Sequence, residues 1–68
     1  MDYLSVNHFY NMLKTSLEIK NLKVDELEAF IENSLEYMEV KIDFDFKGYD
    51  DTISLTNDLL NLIDTHYL

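Results

Sequence analysis

Few side chains in this sequence belong to the types that perform catalysis. The chain has no cysteine and a single glycine, Gly48, which excludes a thiol nucleophile and a glycine-rich phosphate loop. Of its two histidines, His8 falls off the apolar stripe of the first predicted helix, and His66 suits the negative end of the last one. No nucleophile is accompanied by a base and an orienting group. We therefore predict no enzyme activity, no catalytic residue and no cofactor.

One segment has part of the spacing of a calcium-binding loop. Positions one, three, six and nine of an EF-hand would be filled by Asp43, Asp45, Gly48 and Asp51. Position five, however, is Lys47, which brings a positive charge where a ligand belongs, and position twelve is Ser54 instead of a bidentate glutamate. The sequence therefore predicts an acidic turn and no metal site.

Acidic side chains are the one chemical group in marked excess. Fourteen carboxylates stand against five lysines, giving a net charge of −9. Like charges four residues apart each cost a helix a few tenths of a kcal/mol, so stability alone does not favour a row of them. Neighbours in such a row lie about 5 to 6 Å apart, on the scale of phosphate spacing, so the row suits a protein surface that evolved for DNA or RNA. The alternative is a solvated face that keeps the protein in solution.

The predicted partner-binding residues combine this acidic field with two tyrosines. Tyrosine is a frequent anchor in protein interfaces, and an acidic field steers a basic partner towards it. The set comprises Glu28, Glu32, Glu36, Glu39, Asp43, Asp45, Asp50, Asp51, Tyr37 and Tyr49. The alternative for the tyrosines is that their rings are partly buried core.

Two helices are predicted to carry the first half of this set. Ser5 is a candidate N-cap, and apolar residues then recur at three- and four-residue spacing, which predicts a helix from Val6 to Ile19. Its stripe consists of Val6, Phe9, Tyr10, Leu13 and Leu17. Asp25 and Glu28 have the spacing of a capping box for a second helix. The buried face of that helix comprises Leu27, Phe30, Ile31, Leu35 and Met38.

The apolar period then changes from 3.6 to two. Val40, Ile42, Phe44 and Phe46 alternate with charged residues, which predicts a strand with one wet face. Gly48, Asp50 and Asp51 supply turn residues, and residues 52–55 alternate again, so we expect a short hairpin. The alternative is a single strand, with the last helix beginning at Thr52.

In the preferred interpretation, Thr56 caps the last helix. Leu55 and Leu60 then have the spacing of a hydrophobic staple, and Asp58 in the first turn suits the helix dipole. The expected fold is α+β in the order α-α-β-β-α, as one small acidic domain over residues 1–68. A domain of this size buries only about 60% of the surface that its unfolded chain exposes, so a partner or a second copy would add useful stability.

The sequence also indicates a compartment and an origin. No apolar run approaches the roughly 18 residues that span a bilayer, and no secretory signal is recognisable, so we expect a cytoplasmic protein without a membrane partner. Lysine is used to the exclusion of arginine, while alanine and glycine are rare. Such usage suggests an AT-rich coding genome, as in a low-GC bacterium or its phage or plasmid.

These observations favour a protein that acts by binding another protein. The leading hypothesis is an inhibitor from a phage or another mobile element, present in the host cytoplasm. It would act as a DNA mimic and block the basic nucleic-acid-binding surface of a host nuclease, CRISPR effector or polymerase. Direct nucleic-acid binding is disfavoured because a charge of −9 repels phosphate. The alternatives are a homodimeric or larger structural or regulatory module that pairs through its exposed strand, and an antitoxin or immunity protein.

Overall fold

The computed structural model describes residues 3–16 and 18–68. This part of the chain contains three α-helices, α1 (Tyr3–Thr15), α2 (Val24–Met38) and α3 (Thr52–His66), with a 3-10 turn at Glu18–Asn21. We refer to residues 39–51, which join α2 to α3, as the connector. No β-strand occurs in the described residues and the structure is 70% helical, so the fold is all-α and the α+β prediction is wrong.

Helix α1 has the predicted buried face but different ends. Val6, Phe9 and Leu13 are buried, as their spacing predicts, while Leu17 lies outside the described residues. The helix begins at Tyr3, so Ser5 lies inside it and is not its N-cap. It stops at Thr15 instead of Ile19. Ile19 belongs to the 3-10 turn and is still buried, because this turn returns its side chain to the core.

Helix α2 begins slightly earlier than the predicted capping box implies. Its first residue is Val24, and Oε1 of Glu26 accepts a hydrogen bond from the N–H of Lys23 at 2.9 Å. Glu26 therefore has the role that the sequence assigned to Glu28, and the predicted Asp25–Glu28 box is wrong. The predicted inward face is confirmed. Leu27 and Ile31 are buried, and the other three members of that face pack against the core.

Helix α3 begins at Thr52, so the alternative start is correct and the predicted hairpin is wrong. The Asp51 carboxylate is the cap, since Oδ1 accepts from the N–H of Ser54 at 2.7 Å and Oδ2 from its hydroxyl at 3.2 Å. Thr56 is thus inside the helix, and its Oγ1 is buried without a hydrogen-bond partner. The predicted staple of Leu55 and Leu60 and the first-turn position of Asp58 both assumed that Thr56 caps the helix. Both predictions are therefore wrong.

The core is formed where the three helices meet. Side chains with essentially no exposed surface come from every helix, and they include Phe9, Leu27, Ile31, Leu55, Leu59 and Ile63. The last three lie four residues apart on α3, which places them on one face of that helix. Among the described residues, no helix is both long enough and apolar enough to span a lipid bilayer.

The connector keeps the predicted alternation without forming a strand. Val40 is buried and Ile42, Phe44 and Phe46 pack against the core, while the charged residues between them are exposed. This two-residue period indicates an extended backbone. Residues 52–55, which would have supplied the second strand, are the first turn of α3. The described chain therefore offers the connector nothing with which to form a β-ladder.

Candidate functional site

The glutamate row of α2 lies on one flank of the helix. Glu32 and Glu36 are exposed and Glu28 is half-buried. Tyr37 is 89% exposed, but consecutive helical residues are separated by about 100° around the axis. The structure therefore separates Tyr37 from the row that precedes it, and the two do not form a single contiguous anchor.

Glu39 ends α2 in a conformation that few residues adopt. Its φ of 56° and ψ of 36° lie in the left-handed region, which costs residues other than glycine roughly 1 kcal/mol or more. The N–H groups of Glu39 and Val40 donate to the carbonyls of Glu36 and Leu35, at 3.1 and 2.9 Å, which is a Schellman motif. A carboxylate here also lies at the negative end of the helix dipole. Both backbone strain and electrostatics thus oppose a glutamate at this position.

A groove separates the end of α2 from the connector. Its volume is about 440 Å³, and its lining includes Leu35, Phe44 and Phe46 as apolar members. Glu32 from α2 and Asp43 from the connector both lie on its wall. Lys41, which precedes Asp43 in the connector, lies there as well and carries the opposite charge. The fold therefore brings together two predicted site residues that are eleven positions apart. Lys41 and the two phenylalanines were not among the predicted site residues.

An aromatic cluster within the connector is linked to α3 by a hydrogen bond. The Phe44 ring meets Phe46 edge-on at 5.0 Å between centroids and stacks on Tyr49 at 5.8 Å. The Tyr49 hydroxyl donates to Oδ2 of Asp58 at 2.7 Å. This hydrogen bond is the main cause of a raised pKa for Tyr49, followed by desolvation and by the negative charges of Asp58 and Asp45. Tyr49 therefore fastens the connector to α3.

The remaining predicted carboxylates have separate environments. Oδ1 of Asp45 accepts from the N–H of Lys47 at 3.0 Å, and both oxygens of Asp51 are used by Ser54 in capping α3. Asp50 is exposed. Asp43 leaves its carboxylate exposed, while its backbone N–H donates to the Tyr67 hydroxyl at 3.0 Å. Asp51 thus has a structural role, whereas Asp43 can present its charge to a partner.

Asp58 was missed as a partner of Tyr49 because no local spacing rule connects residues nine positions apart. Within residues 3–16 and 18–68, no three His, Cys, Asp or Glu side chains are arranged to hold a metal ion, and both histidines are exposed. No carboxylate of the predicted site forms an ion pair with a described lysine. The groove and its charged rim are therefore the part of the predicted site that the fold assembles. No family model, curated protein or solved structure matches this chain.

Proposed function

We propose that this protein is an inhibitor that binds the basic nucleic-acid-binding surface of another protein. The proposed targets are host nucleases, CRISPR effectors or polymerases, met in the cytoplasm of a cell that a phage or another mobile element has entered. The contact surface consists of the exposed flank of α2 and the first half of the connector, with Glu32, Glu36, Glu39 and Asp43 as its carboxylates.

The observation that carries this proposal is the convergence of Glu32 and Asp43 on one groove. These carboxylates come from different elements, yet both contribute to the wall of the same depression. Neither forms an ion pair with a described lysine, so their charge is available to a partner. A basic protein surface gains steering from such a field and gains desolvated contacts from the apolar floor of the groove.

The left-handed Glu39 adds a second argument. Strained backbone is retained where the surrounding structure holds it, and strain of this kind is enriched at functional sites. Here the Schellman motif holds the backbone of Glu39 between α2 and the connector, and its side chain is exposed. A binding role would explain a residue that neither the backbone nor the helix dipole favours.

The test is a competition experiment with charge-reversed variants. The immobilised protein is incubated with bacterial lysate, and bound proteins are eluted with a short duplex DNA and identified by mass spectrometry. Nucleic-acid-handling proteins should elute, because DNA and the acidic surface compete for the same basic site. Glu32→Lys and Asp43→Lys should each weaken binding to a recovered target by roughly tenfold or more, since removing a close interfacial charge pair costs 1.5 kcal/mol or more.

Asp64→Lys is the matched control. Asp64 is exposed on α3 and is not part of the groove wall, so this substitution changes the net charge equally and should leave affinity within about twofold at physiological salt. Equal losses of affinity for all three variants would show that binding depends on the net charge of the protein and not on the groove. Captured partners that are acidic, or that duplex DNA does not displace, would contradict the proposal.

A further inference from the structure

The backbone of the connector has almost no hydrogen-bond partners within the described chain. Between residues 41 and 47, the N–H of Asp43 donates to Tyr67 and that of Lys47 to Asp45. The structure shows no bond for the N–H groups of Ile42, Phe44 and Phe46. Unpaired backbone groups in an extended segment form an edge to which another strand can add.

The two edges of this segment are not equivalent. Backbone groups of alternate residues point to opposite sides of an extended chain. The N–H of Asp43 points towards Tyr67 near the end of α3, so the N–H groups of Ile42, Phe44 and Phe46 lie on the other edge. These three residues also line the groove beside α2. The open edge and the groove therefore belong to the same surface.

We infer that this groove receives an extended, basic segment of the partner protein, which adds to residues 41–46 as a β-strand. The inference rests on the proposed function, because it takes the cationic partner from there and specifies how that partner is held. Main-chain bonds along the open edge would supply affinity, as in other cases of strand addition, and side-chain contacts would supply selectivity.

The side chains of the connector define which sequence fits best. Apolar residues of the added strand would pack on the floor formed by Leu35, Phe44 and Phe46. Their neighbours would stand on the solvent face, where the exposed Asp43 and Asp45 lie in the middle and Lys41 and Lys47 at the ends. Opposite charges across a strand pair are favourable, so basic residues are preferred opposite the two carboxylates. Glu32 on the groove wall strengthens the same preference. The best ligand therefore alternates lysine or arginine with apolar residues where it passes Asp43 and Asp45.

A second copy of this chain fits the groove poorly. In an antiparallel pair centred on Phe44, Asp43 would face Asp45 and Lys41 would face Lys47, and like charges directly opposite each other are destabilising. A pair centred on Asp43 sets Lys41 opposite Asp45 on both sides, but it places the central carboxylate against its own copy. Two chains of charge −9 also repel each other at long range. Charge thus favours a basic partner over self-association.

The experiment uses synthetic peptides, so that the protein itself is unchanged. The probe is an eight-residue peptide of alternating lysine and valine, titrated into the isotope-labelled protein and followed by amide NMR and hydrogen exchange. We expect the amides of Ile42, Phe44 and Phe46 to become protected while that of Asp43 is unchanged. Methylating the backbone nitrogens of either the lysines or the valines blocks one edge of the peptide. One of these two peptides should bind about tenfold more weakly or worse, and the other as well as the parent.

Three further peptides or measurements decide between the explanations. A peptide with four lysines followed by four valines has the same charge and composition as the alternating peptide. If it and both methylated peptides bound as well as the alternating peptide, strand addition would be overturned, while a cationic partner would remain supported. If an alternating glutamate–valine peptide bound as tightly as the lysine–valine peptide, the preference of the groove for a basic segment would be contradicted. Protection of the same amides without peptide, rising with protein concentration, would show that a second copy is the occupant. No binding of any peptide would also overturn the inference.

Discussion

The helices and the connector are both packed against the same core, but they satisfy their backbones in different ways. In α2, the inward side chains Leu27 and Ile31 are fully buried and the backbone bonds to itself. In the connector, Ile42, Phe44 and Phe46 are only partly buried, and the backbone between them is largely unpaired. The helices are therefore complete within the chain, whereas the connector leaves hydrogen-bonding capacity for a partner.

This difference shows what alternating hydrophobicity does and does not specify. A two-residue period indicates that one side of an extended segment faces the core. It carries no information on whether a neighbouring strand exists, because the ladder depends on backbone groups elsewhere in the fold. Here the segment that the sequence predicted as that neighbour, residues 52–55, is the first turn of α3.

The largest loss of stability is expected from a substitution in the core, where the three helices meet. Leu59→Ala empties a fully buried site where α3 meets the other helices, and such substitutions cost about 2 to 5 kcal/mol. A domain of this length has a total stability of only about 3 to 10 kcal/mol. We expect Leu59→Ala to lower the urea midpoint severely, or to leave the protein unfolded at 25 °C. Circular dichroism during urea titration measures this.

Phe44→Ala is the matching substitution in the connector. It removes both ring contacts of the aromatic cluster, but Phe44 is only partly buried. We therefore expect a loss of about 1.5 to 2.5 kcal/mol, roughly half the cost for a fully buried phenylalanine. Tyr37→Ala, at a residue that is 89% exposed, is the control and should change stability little. If Phe44→Ala proved as damaging as Leu59→Ala, the connector would belong to the core and the comparison would fail.

The sequence predicts the inward faces of the helices well and their ends less well. Burial of Phe9, Leu13 and Ile31 follows from helical periodicity alone. The ends depend on competition between nearby caps. Asp51 and Thr56 are both acceptable N-caps by residue type, and the choice of Asp51 is favoured by the continuous stripe of Leu55, Leu59 and Ile63 that an early start places on one face.

The two ends of the connector should respond to substitution in opposite directions. Asp51→Ala removes the carboxylate that holds the N–H and hydroxyl of Ser54, which should cost about 1 kcal/mol. Thr56→Val provides the control. It removes a buried hydroxyl that has no partner and should be neutral or stabilising. A stability loss for Thr56→Val together with none for Asp51→Ala would restore the later start of α3.

At the other end, Glu39→Gly relieves the left-handed backbone and should stabilise the protein by about 1 kcal/mol. Glu39→Gln removes the charge and keeps the strain, so it should give less of this gain. Both variants should bind a recovered target more weakly, because both lose an exposed carboxylate of the proposed contact surface. Stability is measured by urea titration and affinity by calorimetry. Unchanged affinity in both variants would remove Glu39 from the proposed surface.

Part of the candidate site could be predicted from the sequence, and the rest depends on tertiary structure. The excess of carboxylates and the row from Glu28 to Glu36 are visible in residue type and spacing. The meeting of Glu32 with Asp43 depends on the path of the chain after Glu39. The sequence assigned Asp51 to partner binding, whereas the structure shows it capping α3. Residue type does not distinguish these two roles, because an aspartate suits both.

The smallest expected effect concerns the fastening of the connector to α3. The hydrogen bond to Asp58 raises the pKa of Tyr49 above its ordinary value of 10.0, so the folded protein holds this proton more tightly than the unfolded chain. The bond therefore contributes its full stabilisation below about pH 10, and this contribution is lost as the pH rises through the folded pKa. The difference in tyrosinate absorbance between the parent and Tyr49→Phe isolates this titration from those of the other four tyrosines.

Asp58→Asn sharpens the same test. An asparagine can still accept a hydrogen bond from Tyr49 but carries no charge, so the pKa of Tyr49 should fall back towards 10.0. The alkaline loss of stability should then begin at a lower pH than in the parent. If Tyr49 titrated identically with and without the Asp58 charge, its hydrogen bond to Asp58 would not be what holds the second half of the connector to α3, and that half would rely on the packing of Phe46 and Tyr49 against the core.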